Sequence, residues 1–300
     1  MTFTSNPLKV ISALFVILIS TSTFAQQDFQ GKAYYQTKTS MDMSDFGGRQ
    51  MSEQQKKQIQ ERMKGFLEKK YTLTFTQTES MYKEEDKLEA PGTGGGGRGF
   101  GMMSSFSGGD QYKNIKDKQI LEDQEFFGKQ FLVKDSLSNL DWEMGTETRQ
   151  IGQYMCFKAT AVKKVDEFDW TNMRRPGGRE DEKKTDSTAT ADKSKDSIAE
   201  IEIPKEIIVT AWYTPQIPVN NGPGEYWGLP GLILEVSAGK TVILCTKIVL
   251  NPAEKEEIKK PSKGKEVTRA EYNKIVKEKM EEMSEMYGGR GGRGGGGRGN

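Results

Sequence analysis

No histidine occurs anywhere in the 300 residues. The commonest general base and the commonest zinc ligand are therefore missing. Neither a Ser-His-Asp nor a Cys-His site can be assembled. Ser-Lys and paired-carboxylate chemistry stay open, but no such pair is set apart by its spacing, so no catalytic residue and no cofactor are assigned. Two cysteines, Cys156 and Cys245, leave two outcomes open. One is a disulfide closing a long loop; the other is a pair of buried small apolar side chains. Methionine occurs 14 times. Met41 with Met43, the pair Met102 and Met103, and Met280, Met283 and Met286 have spacings that suit soft copper(I). The last set equally forms the apolar stripe of a helix, and no metal site is assigned. The run GGGGRG lacks the Lys-Ser/Thr ending and the helix that a phosphate loop needs.

Charge narrows the partners. The formal net charge is +1, which argues against a general nucleic-acid or acidic-membrane binder. Arg-Gly runs around Arg98 and at Arg290, Arg293 and Arg298 resemble single-stranded nucleic-acid binding segments. The N-terminus weakens that reading, because it has the build of a secretory signal. Lys9 precedes the apolar run Val10–Ile19, and TSTFA supplies small residues before a cut after Ala25. The run is shorter than the roughly 20 residues of a membrane span. No cysteine lies near the cut to take a lipid. Residues 1–25 are thus expected to be a signal peptide, and the chain to be exported to the periplasm or cell surface without a lipid anchor. No transmembrane span is expected in what remains.

The elements that must position any site follow from periodicity. Gln30–Met43 reads as a first strand. Ser52 and Gln55 form a capping box, after which Ile59, Met63, Phe66 and Leu67 share one helical face. Tyr71, Leu73 and Phe75 alternate with Thr72, Thr74 and Thr76, which predicts a strand with one buried and one solvated threonine face. Residues 111–164 read as hairpins, with a break at Gly128. In IGQYMCFKATAVK, Met155, Phe157, Ala159 and Ala161 share one face, and Tyr154, Cys156, Lys158 and Thr160 the other. Strands follow over 201–214, after the PG at Pro230–Gly231, and on both sides of a turn at Gly239. Thr268 and Glu271 form a second capping box, starting a helix with Tyr272, Ile275, Val276, Met280 and Met283 on one face and Gly288 at its end. The charge run Glu278–Glu282 is its solvated side. Residues 91–109, 166–200 and 288–300 lack the apolar content to pack and are expected to be flexible. The prediction is an α+β fold, a mostly antiparallel, curved sheet with one helix near each end of the mature chain. Residues 26–287 are read as a single β-rich domain.

The run EYWGLPGLILEV, Glu225–Val236, is the most distinctive. Pro230 fixes φ and Gly231 tolerates φ > 0, so Leu229–Leu232 predicts a type II turn feeding a buried strand. Upstream, Trp212 and Tyr213 alternate faces, so one of them enters the core. Two readings stand: a structural turn at Pro230 and Gly231, or a pocket rim for a ligand or partner built from Trp212, Tyr213, Tyr226 and Trp227. In YWGLPGLILEV, WYTPQIPVNNGPGEY and IGQYMCFKATA the chain resembles the GLPGLI family of exported bacterial proteins. The resemblance spans roughly residues 30–165 and 200–250. It implies an envelope or secreted location and a β-rich domain; the family has no established activity.

The expected function is a non-catalytic envelope module that binds or carries an apolar ligand or a partner protein. The alternatives are a histidine-independent enzyme using carboxylates and, more weakly, a soft-metal binder.

Overall fold

The computed structural model describes residues 29–40, 52–85, 109–165 and 205–288. The signal segment 1–25, residues 91–108, the insertion 166–200, residues 289–300 and the residues Met41, Met43, Met102 and Met103 lie outside these. So does the start of the expected strand at 201. The side chain of Phe66 is likewise not described.

Among the described residues, twelve strands and two helices follow one another. They are β1 (Gly31–Thr39), α1 (Glu53–Leu67), β2 (Glu68–Phe75), β3 (Glu79–Glu84), β4 (Gln111–Asn114), β5 (Gln119–Phe126) and β6 (Lys129–Ser136). Then come β7 (Glu143–Ile151), β8 (Tyr154–Lys164), β9 (Glu206–Thr214), β10 (Leu232–Ala238), β11 (Thr241–Leu250), β12 (Lys265–Val267) and α2 (Arg269–Gly288). The strands form one sheet in the order β12-β6-β5-β4-β3-β2-β1-β11-β10-β9-β8-β7. Neighbours pair antiparallel except β12, which runs parallel to β6. Two meanders, β1–β6 and β7–β11, are thus joined side by side through β1 and β11.

That order requires strong curvature. β6 is second from one edge and β7 is the other edge, ten spacings apart, or about 48 Å in a flat sheet. The link 137–142 carries the chain from Ser136 to Glu143, and that length of chain reaches at most about 25 Å. The sheet therefore curls until the two strands approach. Register shifts between Tyr34 and Tyr35 and between Ile233 and Glu235 help, because a bulge bends its strand and increases local twist.

Local signals explain the elements. Both hydrogen bonds of the Ser52–Gln55 capping box are present. Met63 and Leu67 of α1 are buried and Ile59 is half-buried. The β5–β6 hairpin turns on Phe127 and Gly128, at φ 50° and 71°, the pair of positive values a type I′ turn needs. At α2, Thr268 and Glu271 exchange capping bonds. Tyr272 and Val276 pack against Phe126, Phe131 and Val133, whereas Met280 is exposed.

Two expectations are corrected. The threonine face of β2 is not all solvated: Thr74 is buried, and its hydroxyl reaches Glu256 at 3.5 Å. The segment after β11 crosses that side of the sheet, where Ile258 packs on Met81, Tyr112, Leu121 and Leu132. Met155 does not join Ala159 and Ala161 in the core and is exposed.

Candidate functional site: a strap inside the curled sheet

Between β9 and β10 the chain leaves the sheet as residues 215–231 and lies across its inner face. Its prolines and glycines set this path. Three backbone bonds span only two residues: Val219 to Ile217, Asn221 to Val219 and Gly231 to Leu229, each 2.8 Å. These are γ-turns centred on Pro218, Asn220 and Pro230. The expected type II turn at Pro230–Gly231 is therefore replaced by a tighter one. Gly231 serves close approach: a Cβ there would lie 2.2 Å from the Thr214 carbonyl oxygen. Gly228 does need its positive φ, at 92°.

Apolar strap residues fill the curl. Ile217 and Val219 pack with Ala33, Tyr35, Leu73, Phe75 and Tyr82 of β1–β3. Leu229 is fully buried among Ala159, Val209, Ala211 and Ile233. Burying each such side chain contributes about 1.5–3 kcal/mol.

Polar groups then tie the strap down. The Ser80 hydroxyl meets Asn221 Oδ1 at 3.3 Å. Trp227 Nε1 donates to the Ser138 carbonyl at 2.6 Å, and Trp142 Nε1 donates to the Trp227 carbonyl at 2.8 Å. The strap and the 137–142 link thereby hold each other. Lys113 on β4 is buried, and its Nζ donates to the carbonyls of Gly222, Gly224 and Tyr226 at 3.0, 2.8 and 3.2 Å. An ammonium has three hydrogens, so each carbonyl can take one. Burial pushes the Lys113 pKa down to about 7, with Glu225 opposing weakly. No sequence signal marked Lys113, which sits in an ordinary polar run, QYKNIK; only the strap's course makes it special.

The four aromatic residues read as a pocket rim do not share one surface. Tyr213, Tyr226 and Trp227 are buried. Tyr213 and Tyr226 lie in the cluster around Leu229, and Trp227 lies against Ile120 and Leu137. Trp212 projects to the opposite face of β9, half-buried, with the Arg149 guanidinium 4.2 Å from its ring centre. Arg149 also pairs with Glu235 at 2.5 Å.

The disulfide outcome is corrected as well. Cys156 and Cys245 are free and buried. They stand on β8 and β11 with β9 and β10 between them, within one buried cluster, and their sulfurs are not bonded. Burial pushes the thiols up, to about 11 and about 12.

The buried carboxylate among the described residues is Glu122. It contacts Arg269 at 2.5 Å and accepts from Gln111 and Gln124 at 2.7 and 3.0 Å. Burial would raise its carboxyl, but Arg269 and the two amides outweigh that and hold it below the ordinary value. It anchors α2 to the sheet as a charged group. Among the described residues, no group of three Cys, Asp or Glu could hold a metal ion, and no helix is long and apolar enough to cross a membrane.

A family model described as a protein of unknown function (Porph_ging) matches residues 142–235. That span runs from β7 through the strap into β10 and contains the GLPGLI residues 228–233, which is compatible with the resemblance drawn from sequence. No curated protein matches. Among solved structures, the chain is similar to PNGF-II in a C2 crystal form, at 12% identity and a TM-score of 0.43, over 83% of this chain and 32% of that one. A P21 crystal form of PNGF-II gives 12% identity and a TM-score of 0.42, over 82% of this chain and 33% of that one. The chain thus spans about a third of the length of those structures.

Proposed function

We propose that this chain is an exported envelope protein, cut after Ala25, whose residues 26–287 form one α+β binding domain for a partner protein, without catalysis. One observation carries the choice of a protein partner. On the outer face of the sheet, Val162 and Ile208 are cross-strand neighbours, 60% and 70% exposed, and Val242 and Leu244 on β11 are about 40% exposed. Val242 shares a row of the sheet with Ser237, Thr210 and Thr160, and Ile208 lies one same-face position along β9 from that row. Clustered exposed aliphatic residues are a feature of protein contact surfaces. An apolar small ligand is the weaker reading, because the inner face, where a carrier would hold it, is occupied by Ile217, Val219 and Leu229.

The test places a photoreactive side chain at Ile208 in the exporting cell, with Lys274 on α2 as control. A discrete crosslinked product at Ile208 alone is expected. Ile208→Asp and Leu244→Asp should abolish capture of that same product by the purified protein while leaving the melting temperature within a few degrees. No product at Ile208, or capture that survives both substitutions, would overturn the assignment.

A further inference from the structure

Strand β7 closes one edge of the sheet and does not run regularly. Met144 pairs with Ala159 and Thr148 with Phe157, so residues 145–147 face Lys158 alone. A bulge of this kind bends its strand and re-aims the side chains beside it. Met144 stands at the start of the slip and is 57% exposed. Its sulfur nevertheless has a partner inside the fold, because it accepts a hydrogen bond from the Tyr213 hydroxyl at 3.2 Å.

Strand pairing explains that reach. Ala159 on β8 lies opposite Met144, and Ala211 on β9 lies opposite Ala159. Tyr213 is two residues beyond Ala211, on the same face of β9. Two alanines keep the surface between β7 and β9 low, and the long, unbranched Met144 side chain crosses it to the phenol. Tyr213 is buried in the cluster around Leu229, with the Phe157 ring beside its own. Its ring thus belongs to the core that holds the strap, while its hydroxyl meets a residue of the sheet edge.

That bond is poorly matched. A buried hydroxyl calls for a good acceptor, and a thioether sulfur is a weak one. Burial raises the Tyr213 pKa, so the phenol keeps its proton and stays a donor. The sulfur has two lone pairs. One faces Tyr213, and the exposure of Met144 leaves the other open to solvent. We propose that Met144 is an oxidation site: a peroxide turns its thioether into a sulfoxide, which clasps edge strand β7 to Tyr213 and the core beneath the strap.

In that step the open lone pair of Sδ attacks one oxygen of hydrogen peroxide. The O–O bond breaks and an S–O bond forms. Sulfur gives up two electrons, and the other peroxide oxygen leaves as water. Sulfoxide formation usually disrupts a core, because it makes an apolar side chain polar. Met144 is instead at the surface, with a buried donor already aimed at it. Rotation of the exposed side chain about its Cβ–Cγ and Cγ–Sδ bonds brings the new oxygen to the Tyr213 hydroxyl. A strong acceptor then replaces a weak one, and oxidation tightens this edge of the fold.

The experiment treats the full mature protein, Met144→Leu and Tyr213→Phe with hydrogen peroxide and follows the sulfoxide at each methionine by peptide mass spectrometry. Met144 should oxidise about as fast as Met155, which is 46% exposed, and at least roughly tenfold faster than buried Met63. Melting temperatures are then compared before and after treatment. The remaining methionines are common to all three proteins, so a difference in shift belongs to Met144. Oxidation should move wild type upward by roughly 2–4 °C relative to Met144→Leu, the size of one improved hydrogen bond. That gain should vanish in Tyr213→Phe, which keeps the ring and loses the donor. A Met144 that stays reduced while Met155 oxidises, a wild type whose shift equals or falls below that of Met144→Leu, or a gain that persists in Tyr213→Phe would each overturn the proposal. If Tyr213→Phe fails to fold, the sulfoxide map and the comparison with Met144→Leu still decide it.

Discussion

Gly231→Ala is the smallest change that tests how the strap is held. The added Cβ would lie 2.2 Å from the Thr214 oxygen, 2.5 Å from its carbonyl carbon and 2.8 Å from the Pro215 nitrogen. All three are backbone atoms, so no rotamer change relieves the clash. Bringing the closest contact to an ordinary separation needs a shift of roughly 1 Å where β9 ends and β10 begins. Overpacking of that kind costs about 1–3 kcal/mol. The shift also strains the Leu232 N to Ile217 O bond, now 3.0 Å, worth about 1 kcal/mol. Reduced freedom of the unfolded chain returns less than about 1 kcal/mol. The expected net loss is about 2–4 kcal/mol, a large part of the 5–15 kcal/mol that folded domains hold. Urea unfolding followed by tryptophan fluorescence measures it, because Trp142 and Trp227 are both bonded at the strap. Gly65→Ala in α1, where a Cβ meets nothing within 4 Å, should instead stabilise by up to about 1 kcal/mol. A Gly231→Ala protein within 1 kcal/mol of wild type would refute the close-approach argument.

Lys113 makes stability depend on pH. Its folded pKa is about 7 against an ordinary 10.5, so below about pH 7 both states hold the proton. Between about 7 and 10.5 the unfolded chain holds it and the folded chain does not, so stability rises with pH, by at most about 1.4 kcal/mol per unit. Relative to Lys113→Met, wild type should gain stability between pH 7 and pH 8.5 in urea titrations; a flat difference would sink the assignment. For the cysteines, raised pKa values and burial predict two thiols that react with a disulfide reagent only after unfolding. Fewer than two thiols in unfolded native protein, or rapid labelling at pH 8 while folded, would contradict the structure.

Much of the local structure was legible because local forces set it. Period-two alternation located β2 and β8, turn residues and apolar runs located several other strands, and the Ser52–Gln55 and Thr268–Glu271 boxes located the helix starts, since a cap involves residues three apart in sequence. Pro230–Gly231 announced a turn. What the sequence alone determined was therefore many of the elements, though neither β3 nor β12, the absence of histidine chemistry, and a rigid connection ahead of an apolar strand. The tertiary structure decided everything that depends on which strands become neighbours. Cys156 and Cys245 looked bridgeable until β9 and β10 came between them. Tyr213, Tyr226 and Trp227 looked like a rim until the strap turned inward and buried them. Thr74 looked solvated until the segment after β11 crossed it. Lys113 carried no signal in the sequence, and three strap carbonyls close over it in the fold, because burial and hydrogen bonding at one position are fixed by chain more than a hundred residues away.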